Sequence, residues 1–470
     1  MKRRSFIRKS AAASAAFTIV PSFVLGGNHI PPSDTLYLGS IGVGGRGGGV
    51  CNELFATGKV KFVALCDVDQ VRAGGTLKAH PKAKKYKDFR RLYDNHLNEI
   101  DAFSVATPDH THAVIALPFM RAKKHAYVEK PLTHNIYEAR LMAKVAADNG
   151  IVTQMGNQGA SGDGIRLAQK WIEEGVIGVV HRVDCWTNRP VWPQGFRSIT
   201  KAEPIPETLN WDLWLGPAAM RPFNSNYLPF KWRGFWDFGT GSMGDMGCHI
   251  METPFKTLGL QFPYEAEASC TTIWSGDFVE ADYKGTCPPS SIVRLKFNNE
   301  KHGEVSLNWY DGGIMPDLPE ELGDGESPGG NGGGSIFYGS KGIMVTDTYS
   351  ANPRLLPSNR MKEMVVPKPT RNNMDGGHGA EWVNAILNGG TTSSPFSYGG
   401  PLTEAVLMGN LAIKSYQQKV LKEGKKPTDW QPFDYPGRRT IKWDGEAMKV
   451  TNYDYANQWV KRDYRQGWEI

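Results

Sequence analysis

Cysteine is scarce in this chain: six residues are scattered over 470 positions, and no Cys-x-x-Cys pair occurs. Scattered thiols of this kind fit buried side chains or at most one or two disulfide bridges, and they do not support a zinc site. The body of the chain also lacks a run of about 20 apolar residues, the length that an internal membrane span needs. We therefore expect neither a bound metal nor a membrane-spanning segment.

Excess charge is confined to the N-terminus. The formal net charge is +6, and five positive charges precede the first acidic residue, Asp34; they belong to Lys2, Arg3, Arg4, Arg8 and Lys9. The remaining body is nearly neutral, which argues against nucleic acid as a partner, because nucleic-acid binding requires a basic surface. The length and an apolar content of 40% fit two domains with sizeable cores.

The basic N-terminus has the pattern of an export signal. Paired arginines, Arg3 and Arg4, and a spaced aromatic, Phe6, precede a mildly apolar, Ala-rich run from Ser10 to Leu25. This pattern is typical of a bacterial twin-arginine signal. The alternative is a basic tail before a short anchor, but the run of about 15 residues is shorter than a spanning helix. We predict that residues 1–32 are a signal segment and that the folded protein is periplasmic.

A glycine-rich turn follows the first apolar run of the body. The run Leu36 to Ile41 predicts a buried strand, and the helical pattern after the turn places Val50, Leu54 and Phe55 on one face. The turn has the spacing G-x-G-x-x-G and consists of Gly42, Val43, Gly44, Gly45, Arg46 and Gly47. Glycines at this spacing let backbone amides and a helix N-terminus approach a pyrophosphate, so we expect the turn to bind a nucleotide.

A carboxylate stands where such a nucleotide would place its ribose. The second apolar run, Lys61 to Cys66, ends at Asp67, twenty residues after Gly47. Taken alone, the glycines fit an ordinary turn, but strand, turn, helix, strand and acid in this order predict a dinucleotide-binding domain. Because Asp67 would repel a 2′-phosphate, the sequence favours NAD over NADP as the cofactor.

Strands and helices continue to alternate up to residue 156. Predicted strands are Phe103–Ala106, His125–Val128 and Ile151–Met155, and predicted helices are Ala113–Ala122 and Ile136–Asn149. This alternation predicts a doubly wound parallel sheet over residues 34–156. The loop from Thr107 to His112 and the segment Glu129-Lys130-Pro131 follow two of its strands, where ligands bind in such sheets. We also expect a cis peptide bond at Lys130–Pro131.

The pattern changes in residues 157–470. After a helix, Ile165–Glu174, strand-like stretches follow one another without helices between them: Val179–Trp186, Ala266–Trp274, Ile292–Phe297, Glu304–Tyr310, Ser335–Tyr338 and Gly342–Thr346. Consecutive strands predict an α+β domain with a mostly antiparallel sheet. The glycine-dense segment Leu322–Ser335 is an insertion or a lid, and we favour an insertion. Two late helices, Ala380–Leu387 and Leu402–Gln418, should pack against this sheet or return to the first domain.

Two groups of residues could carry chemistry. Lys130 follows a strand of the first domain, although an isolated lysine is usually a solvated surface group. In the segment Gly239 to His249, a helix would place Asp245 and His249 on one face, where a carboxylate can orient an imidazole base. Alternatively, Asp245 caps a helix that starts at Ser242, and His249 is an ordinary core histidine.

Taken together, the glycine turn, Thr-Pro-Asp-His-Thr-His, Glu-Lys-Pro and the Gly-x-x-x-Asp-x-x-x-His helix resemble the Gfo/Idh/MocA family, which includes glucose–fructose oxidoreductase and inositol dehydrogenase. The resemblance implies a Rossmann domain, then a large open sheet, and hydride transfer at a ring hydroxyl of a sugar, cyclitol or glycoside. It also implies a catalytic triad in which His249 takes the hydroxyl proton, Asp245 orients His249 and Lys130 polarises the alcohol or relays its proton. Further cofactor-binding positions are implied at Thr107, Pro108, His112, Glu129, Lys130, Asn157 and Gln158.

The chain departs from compact family members by an aromatic insertion, Trp186 to Trp236, and by a tail running through Trp443 to Trp468. Residues of the insertion could stack on and hydrogen-bond a sugar ring, although ordinary packing explains them equally well; they are Arg189, Trp192, Trp232, Arg233 and Trp236. His378 is a further substrate-site candidate. We expect a homo-oligomer, dimer or tetramer.

Three functions remain open from the sequence. The first is a dehydrogenase or reductase with a tightly bound NAD and a small carbohydrate substrate. The second is a glycosidase in which NAD oxidises the sugar transiently and the aglycone is eliminated. The third is a catalytically silent sugar-binding protein on the same fold.

Overall fold

Two large β-sheets organise the chain in the computed structural model, which describes residues 34–195, 199, 201–283, 285–362, 364 and 376–470. The predicted signal segment, residues 1–32, lies outside the described residues. Within the described residues, no helix is long and apolar enough to cross a bilayer, and no group of His, Cys, Asp and Glu side chains could hold a metal ion. All six cysteines are free thiols, and five are buried, so no disulfide bridge is formed.

The first sheet is parallel and belongs to the N-terminal domain. Its strands are β1 (Leu36–Ile41), β2 (Val60–Cys66), β3 (Lys84–Tyr86), β4 (Ala102–Val105), β5 (His125–Val128) and β6 (Thr153–Met155), in the order β3-β2-β1-β4-β5-β6. The intervening helices are α1 (Arg46–Phe55), α2 (Gly74–Ala79), α3 (Phe89–His96), α4 (His112–Arg121) and α5 (Ile136–Asn149). The strand order reverses between β1 and β4, where the carboxyl ends of the strands leave a crevice for a ligand. The predicted doubly wound sheet is confirmed.

Local signals account for the limits of several elements. Helix α5 begins after Asn135, whose side chain accepts a hydrogen bond from the Glu138 amide at 3.0 Å, and it ends at Gly150 in the left-handed conformation. In α1, Val50 and Leu54 are buried as predicted, but Phe55 is 51% exposed. The prediction for Phe55 was therefore wrong, because this last helical residue lies beyond the edge of the sheet-facing stripe.

The second sheet has nine strands and is mostly antiparallel, as predicted. Its members are β7 (Val180–Thr187), β8 (Glu265–Cys270), β11 (Ser291–Asn299), β12 (Gly303–Tyr310), β13 (Gly333–Gly339), β14 (Gly342–Asp347), β15 (Arg354–Leu356), β18 (Ile441–Asp444) and β19 (Lys449–Val450). The order is β15-β14-β13-β7-β12-β11-β8-β18-β19, and the pair β7 and β12 is parallel. Two small hairpins pair β9 (Trp274–Gly276) with β10 (Val279–Glu280) and β16 (Val420–Leu421) with β17 (Phe433–Asp434).

Two sequence-based limits in this domain differ from the structure. The predicted strand Ala266–Trp274 ends at Cys270, and Trp274 belongs to the separate hairpin of β9 and β10. The glycine-dense segment is shorter than predicted, because Gly333 and Gly334 already belong to β13. Both differences arise where pairing with a neighbouring strand, rather than composition, sets the end of an element.

The remaining helices connect the two sheets. They are α6 (Asp163–Glu173), α7 (Trp211–Leu215), α8 (Gly241–Ile250), α9 (Glu252–Leu258), α10 (His378–Asn388) and α11 (Phe396–Tyr416). Helices α8 and α11 pack against the second sheet, and α11 also packs against α5. Helix α10 returns to the first domain, where Trp382 is fully buried beside Leu36 and Tyr127. The second segment of the chain therefore contributes to the core around the first sheet.

Candidate active site

A cleft with a volume of about 400 Å³ lies at the carboxyl ends of the first-sheet strands and is closed from the other side by the second domain. Predicted residues of the first domain that line it are Gly42, Gly44, Arg46, Asp67, Thr107, Pro108, Glu129 and Lys130. Predicted residues from the second domain are Gln158, Arg189, Trp232, Arg233, Asp245 and His249. The cleft thus brings together residues that are more than 200 positions apart in the chain.

The glycine turn at the base of the cleft has no room for side chains. A Cβ atom on Gly47 would lie 1.7 Å from the carbonyl oxygen of Gly42, and one on Gly42 would lie 2.6 Å from Cγ2 of Thr107. Gly42 also has a φ of +75°, in the left-handed region. The turn is therefore packed tightly between β1, α1 and the loop after β4. The side chain of Arg72, which also lines the cleft, lies against it, since a Cβ atom on Gly44 would lie 2.8 Å from Arg72 Cγ and one on Gly45 would lie 2.5 Å from Arg72 Nη2. This arrangement fits the close approach of a dinucleotide pyrophosphate.

Asp67 stands beside the turn at the carboxyl end of β2. Its Oδ2 accepts hydrogen bonds from the amides of Val43 and Gly44, both at 2.9 Å. Burial raises the pKa of this carboxyl, and the amide hydrogen bonds oppose that effect. The carboxylate thus lies where the hydroxyls of an adenosine ribose would be bound.

An ion pair joins the turn to the loop that carries Lys130. Arg46 Nε lies 2.8 Å from Oε1 of Glu129, and Arg46 Nη1 lies 2.8 Å from Oε1 of Glu53. The Glu129 side chain is 7% exposed, so its charge depends on Arg46 for compensation. Arg46 and Glu129 therefore help to fix the distance between the nucleotide-binding turn and Lys130.

Lys130, Asp245 and Arg233 form a buried charge cluster in the cleft. Lys130 Nζ lies 3.1 Å and Arg233 Nε lies 2.9 Å from the same oxygen of Asp245, Oδ1. Lys130 Nζ also donates to the carbonyl oxygen of Asp245 at 2.5 Å. Burial opposes ionisation of Asp245, but the two cations outweigh it and hold the pKa of this carboxyl well below its usual range. The Lys130–Pro131 peptide bond is cis, as predicted.

His249 faces the same cleft one helical turn after Asp245. Its ring lies 5.1 Å from that of Tyr349, and its Nδ1 is buried without a hydrogen-bond partner in the described part of the chain. Burial and the Lys130 ammonium lower the pKa of His249 well below its ordinary value, so the imidazole is neutral. The sequence predicted that Asp245 orients His249, but the Asp245 carboxylate is directed to Lys130 and Arg233 instead.

Two predicted cofactor residues support the cleft from behind. His112 is buried, and its ring nitrogens lie 2.9 Å from the carbonyl oxygens of Pro131 and Thr107. The side-chain amide of Asn157 donates to the buried carboxyl of Glu252. Both residues therefore brace the loops that carry lining residues, which corrects the prediction that they line the cofactor site directly.

Three of the predicted substrate residues lie outside the cleft. Trp192 is 3% exposed, and its Nε1 donates to Gln194. Trp236 lines a separate small cavity, and its carbonyl oxygen is bonded to His134. His378 is buried at the start of α10, where its Nε2 is bonded to the carbonyl oxygen of Met155. For Trp192 and Trp236 the alternative of ordinary packing is therefore correct, and His378 is a buried residue that bonds the backbone rather than a lining residue of the cleft.

Sequence reasoning missed many residues that line the cleft. They include Arg72, Lys87, Phe89, Leu209, Leu213, Trp214, Phe230, Tyr349 and Trp468. These residues come from separate segments and form no local motif, although the aromatic insertion and the aromatic tail were visible in the sequence. The partnership of Arg233 with Asp245 was missed for the same reason.

Comparisons with known proteins agree with the two-domain arrangement. Residues 37–157 match the Gfo/Idh/MocA family model described as "Oxidoreductase family, NAD-binding Rossmann fold". Residues 164–261 match the model described as "Oxidoreductase family, C-terminal alpha/beta domain" of the same family. The two matches follow one another in the chain and meet close to the predicted domain boundary.

Three curated relatives each match a quarter of the chain or less. Levoglucosan dehydrogenase of Pseudarthrobacter phenanthrenivorans is 36% identical over 91 residues, which is 19% of this chain and 23% of that protein. Inositol 2-dehydrogenase of Rubrobacter xylanophilus is 30% identical over 119 residues, or 25% of this chain and 33% of that protein. A glycosyl hydrolase family 109 protein of Shewanella pealeana is 35% identical over 116 residues, or 23% and 25%. The chain thus spans a third or less of the length of these relatives.

Solved structures share the fold over most of the chain. The WlbA dehydrogenase of Bordetella pertussis, solved with NADH and UDP-GlcNAcA, has a TM-score of 0.56 at 14% identity and covers 81% of this chain and 97% of its own. Levoglucosan dehydrogenase, solved with NADH and levoglucosan, has a TM-score of 0.54 at 18% identity and covers 81% and 97%. In two successive segments the chain is thus similar to the NAD-binding and C-terminal domains of the Gfo/Idh/MocA family of oxidoreductases, and its fold is similar to those of these two dehydrogenases.

Proposed function

We propose that the protein is an NAD-dependent oxidoreductase that transfers a hydride between a ring carbon of a sugar or cyclitol and a nicotinamide cofactor. The observation that carries the proposal is the cleft itself, in which the glycine turn and Asp67 adjoin Lys130 and His249. A dinucleotide site and a proton-accepting side chain within one cleft are what oxidation of an alcohol requires.

The dinucleotide would be held by the glycine turn, by Asp67 and by the loops after β4 and β5. When bound, it supplies the hydride acceptor. Neutral His249 is the group that accepts the hydroxyl proton, because an imidazole whose pKa is depressed stays unprotonated at neutral pH. Lys130, a member of the charge cluster, donates a hydrogen bond to the alcohol oxygen. Asp245 holds the Lys130 ammonium in place through its carboxylate and its carbonyl oxygen.

Two finer points belong to the proposal. Asp67 favours NAD, since a carboxylate at the ribose position repels a 2′-phosphate. Arg72 also lines the cleft beside the turn, and a 2′-phosphate would need such a guanidinium, so both dinucleotides should be titrated. The substrate class is supported by the names of relatives that act on levoglucosan and inositol and by Arg189, Trp232 and Arg233 on the cleft wall.

The test begins with the nucleotide released from purified protein and a scan of sugars and cyclitols for formation or loss of NADH absorbance. We expect Lys130→Met and His249→Ala to keep dinucleotide binding and to abolish turnover. Trp192→Phe, outside the cleft, is the matched control and should retain turnover. Full activity in either cleft variant would remove that residue from its proposed role.

A second candidate function is an NAD-dependent glycosidase that works by transient oxidation and elimination. It is supported by the glycosyl hydrolase family 109 relatives, which are 35% and 32% identical over 116 and 127 residues. The two functions use the same cleft and differ in products. Release of an aglycone from a glycoside without net formation of NADH would favour the glycosidase, whereas stoichiometric NADH formation would favour the dehydrogenase.

We also propose that the protein is exported in the folded state and assembles as a dimer or tetramer. The arginine pair and the short apolar run at the N-terminus support export. Export of folded protein would let a cofactor bound in the cytoplasm travel with its enzyme. Cell fractionation of the full chain and of a variant carrying Arg3→Lys and Arg4→Lys, followed by light scattering of the purified protein, tests both points.

A further inference from the structure

Beside charged residues such as Arg72 and Lys87, the cleft lining near Asp67 contains a group of apolar side chains from three separate parts of the chain. Phe89 and Ile115 contribute from α3 and α4 of the first domain, and Leu213 contributes from α7 of the aromatic insertion. Trp468, two residues before the C-terminus, completes the lining. These side chains adjoin the segment of Asp67, because the Asp67 amide donates to the carbonyl oxygen of Tyr86 at 3.0 Å, three residues before Phe89. The adenine of an NAD bound through Asp67 would lie next to that carboxylate.

Trp468 is held rigidly in this position. Its side chain is 7% exposed, and the guanidinium of Arg90 lies 4.0 Å from the ring centroid. Arg90 Nη2 also donates to the carbonyl oxygen of Gly467 at 3.0 Å, and the Phe89 ring lies 6.2 Å from the indole. The Arg465 guanidinium also lies 5.6 Å from the ring centroid. The mostly buried indole is thus held in a fixed orientation and contributes a small part of its aromatic surface to the cleft lining.

The tail before Trp468 is tied to both domains. Arg465 Nε donates to the carbonyl oxygen of Gly216 at 2.8 Å, next to α7. Arg462 Nε donates to the buried carboxylate of Glu138 at 2.9 Å, and its Nη2 donates to the carbonyl oxygen of His110 at 2.6 Å. These charge-assisted hydrogen bonds anchor the tail along the mouth of the cleft rather than leaving it free in solvent.

The insertion is braced to the same edge of the first sheet. The Asn210 amide donates to the carbonyl oxygen of Val68 at 2.9 Å, one residue after Asp67. The Asn210 side chain in turn accepts from the Leu213 amide and caps α7. The position of Leu213 in the cleft therefore depends directly on the loop that carries Asp67.

We propose that Trp468 and Leu213 close an adenine subsite, so that the C-terminal tail and the insertion retain the dinucleotide at its adenosine end. This inference rests on the proposed function, because it requires a dinucleotide in the cleft. An apolar slot with an aromatic wall suits the flat purine ring, and stacking of a base on an aromatic side chain is sequence-independent chemistry. The first domain alone contributes Phe89 and Ile115 to this subsite. Trp468 of the tail covers a side of the subsite that would otherwise be open to water.

The experiment measures dinucleotide binding rather than turnover. Trp468→Ala should weaken the affinities for NAD and for ADP-ribose by roughly 10- to 100-fold, the range expected for loss of one aromatic stack. Affinity for nicotinamide mononucleotide, which has no adenine, should be unchanged. The control is Trp430→Ala, because Trp430 is 64% exposed and lies outside the cleft; it should bind all three ligands as the wild type does.

Two further variants keep the test decisive if Trp468→Ala is poorly folded. Leu213→Ala removes a second apolar side chain from the lining and should also weaken the affinities for NAD and ADP-ribose selectively. Arg90→Met leaves the indole in place but removes its cation, and should give a smaller loss. Unchanged ADP-ribose affinity in folded Trp468→Ala and Leu213→Ala, or an equal loss for nicotinamide mononucleotide, overturns the adenine subsite. Failure of the wild type to bind any of these ligands overturns the proposed function itself.

Discussion

The charge cluster in the cleft makes a quantitative prediction for Asp245→Asn. The Asp245 carboxylate compensates two cations, with Lys130 Nζ at 3.1 Å and Arg233 Nε at 2.9 Å. At an effective dielectric constant of about 20, each pair corresponds to about 5 kcal/mol of attraction. Desolvation of the three groups offsets much of this, and removing one partner of a buried pair typically costs about 3–5 kcal/mol. We expect the free energy of unfolding to fall by about that amount.

The corresponding shift in melting temperature can be measured by differential scanning fluorimetry. An unfolding entropy of about 2.1 cal/mol/K per residue gives about 1 kcal/mol/K for 470 residues. Asp245→Asn should therefore lower the melting temperature by about 3–5 °C. Added salt should change this shift little, because screening acts weakly on buried charges.

The matched control is Asp237→Asn, in the same segment of the chain. Asp237 is half-exposed and pairs with Arg221 at the surface, so the variant should lower the melting temperature by about 1 °C or less. Arg233→Met in the Asp245→Asn background should recover part of the loss, since it removes one uncompensated cation. Equal melting temperatures for Asp245→Asn and Asp237→Asn would refute the electrostatic account of the cluster.

Two other predictions concern the glycine turn and acid stability. Gly47→Ala should abolish dinucleotide binding at a cost of about 1–3 kcal/mol or more in stability, because its Cβ would lie 1.7 Å from the Gly42 carbonyl oxygen. Gly49→Ala, whose Cβ meets its nearest neighbour at 3.5 Å, should bind normally; equal binding by both variants would count against the turn. Burial lowers the pKa of His110 to about 3, so below pH 6.5 the unfolded chain binds a proton that the folded chain excludes. Protonation of His110 in the unfolded chain should therefore lower the free energy of unfolding by about 2 kcal/mol between pH 6.5 and pH 5. Melting curves should show a weaker acid response for His110→Gln than for a control at the exposed His181, and identical responses would contradict the assignment.

The strands and helices of the first domain could be predicted from the sequence because the signals that set their limits are local. The limits of β1, β5 and α5 agree with the structure, since each is set by a short apolar run or by a cap next to it in the chain. The nucleotide-binding turn was predictable for the same reason: Gly47 must lack a side chain whatever the rest of the fold does. The position of Asp67 follows once the parallel order of the first strands is known.

The candidate site was only partly predictable, because its specific contacts depend on tertiary structure. The alignment of Asp245 and His249 on one helix face was correct, yet helical spacing could not show that Lys130 and Arg233 compete for the carboxylate. No local sequence signal separates the tryptophans of the insertion by function, but Trp232 lines the cleft while Trp192 and Trp236 are packed elsewhere. Composition shows which aromatic residues could line a binding site. Tertiary structure determines which of them actually line the cleft.

The connection between the domains bears on how ligands enter the cleft. Helix α10 buries Trp382 in the core of the first sheet, α11 packs against α5, and the tail is bonded to Glu138 and His110. Separating the domains would expose these surfaces, and burying a single large side chain already contributes about 1.5–3 kcal/mol. The cleft is therefore pre-formed, and ligands enter it without wide opening of the domains. A pre-formed cleft lowers the entropic cost of binding. Retention of the cofactor then depends on the side chains that line the two ends of the cleft.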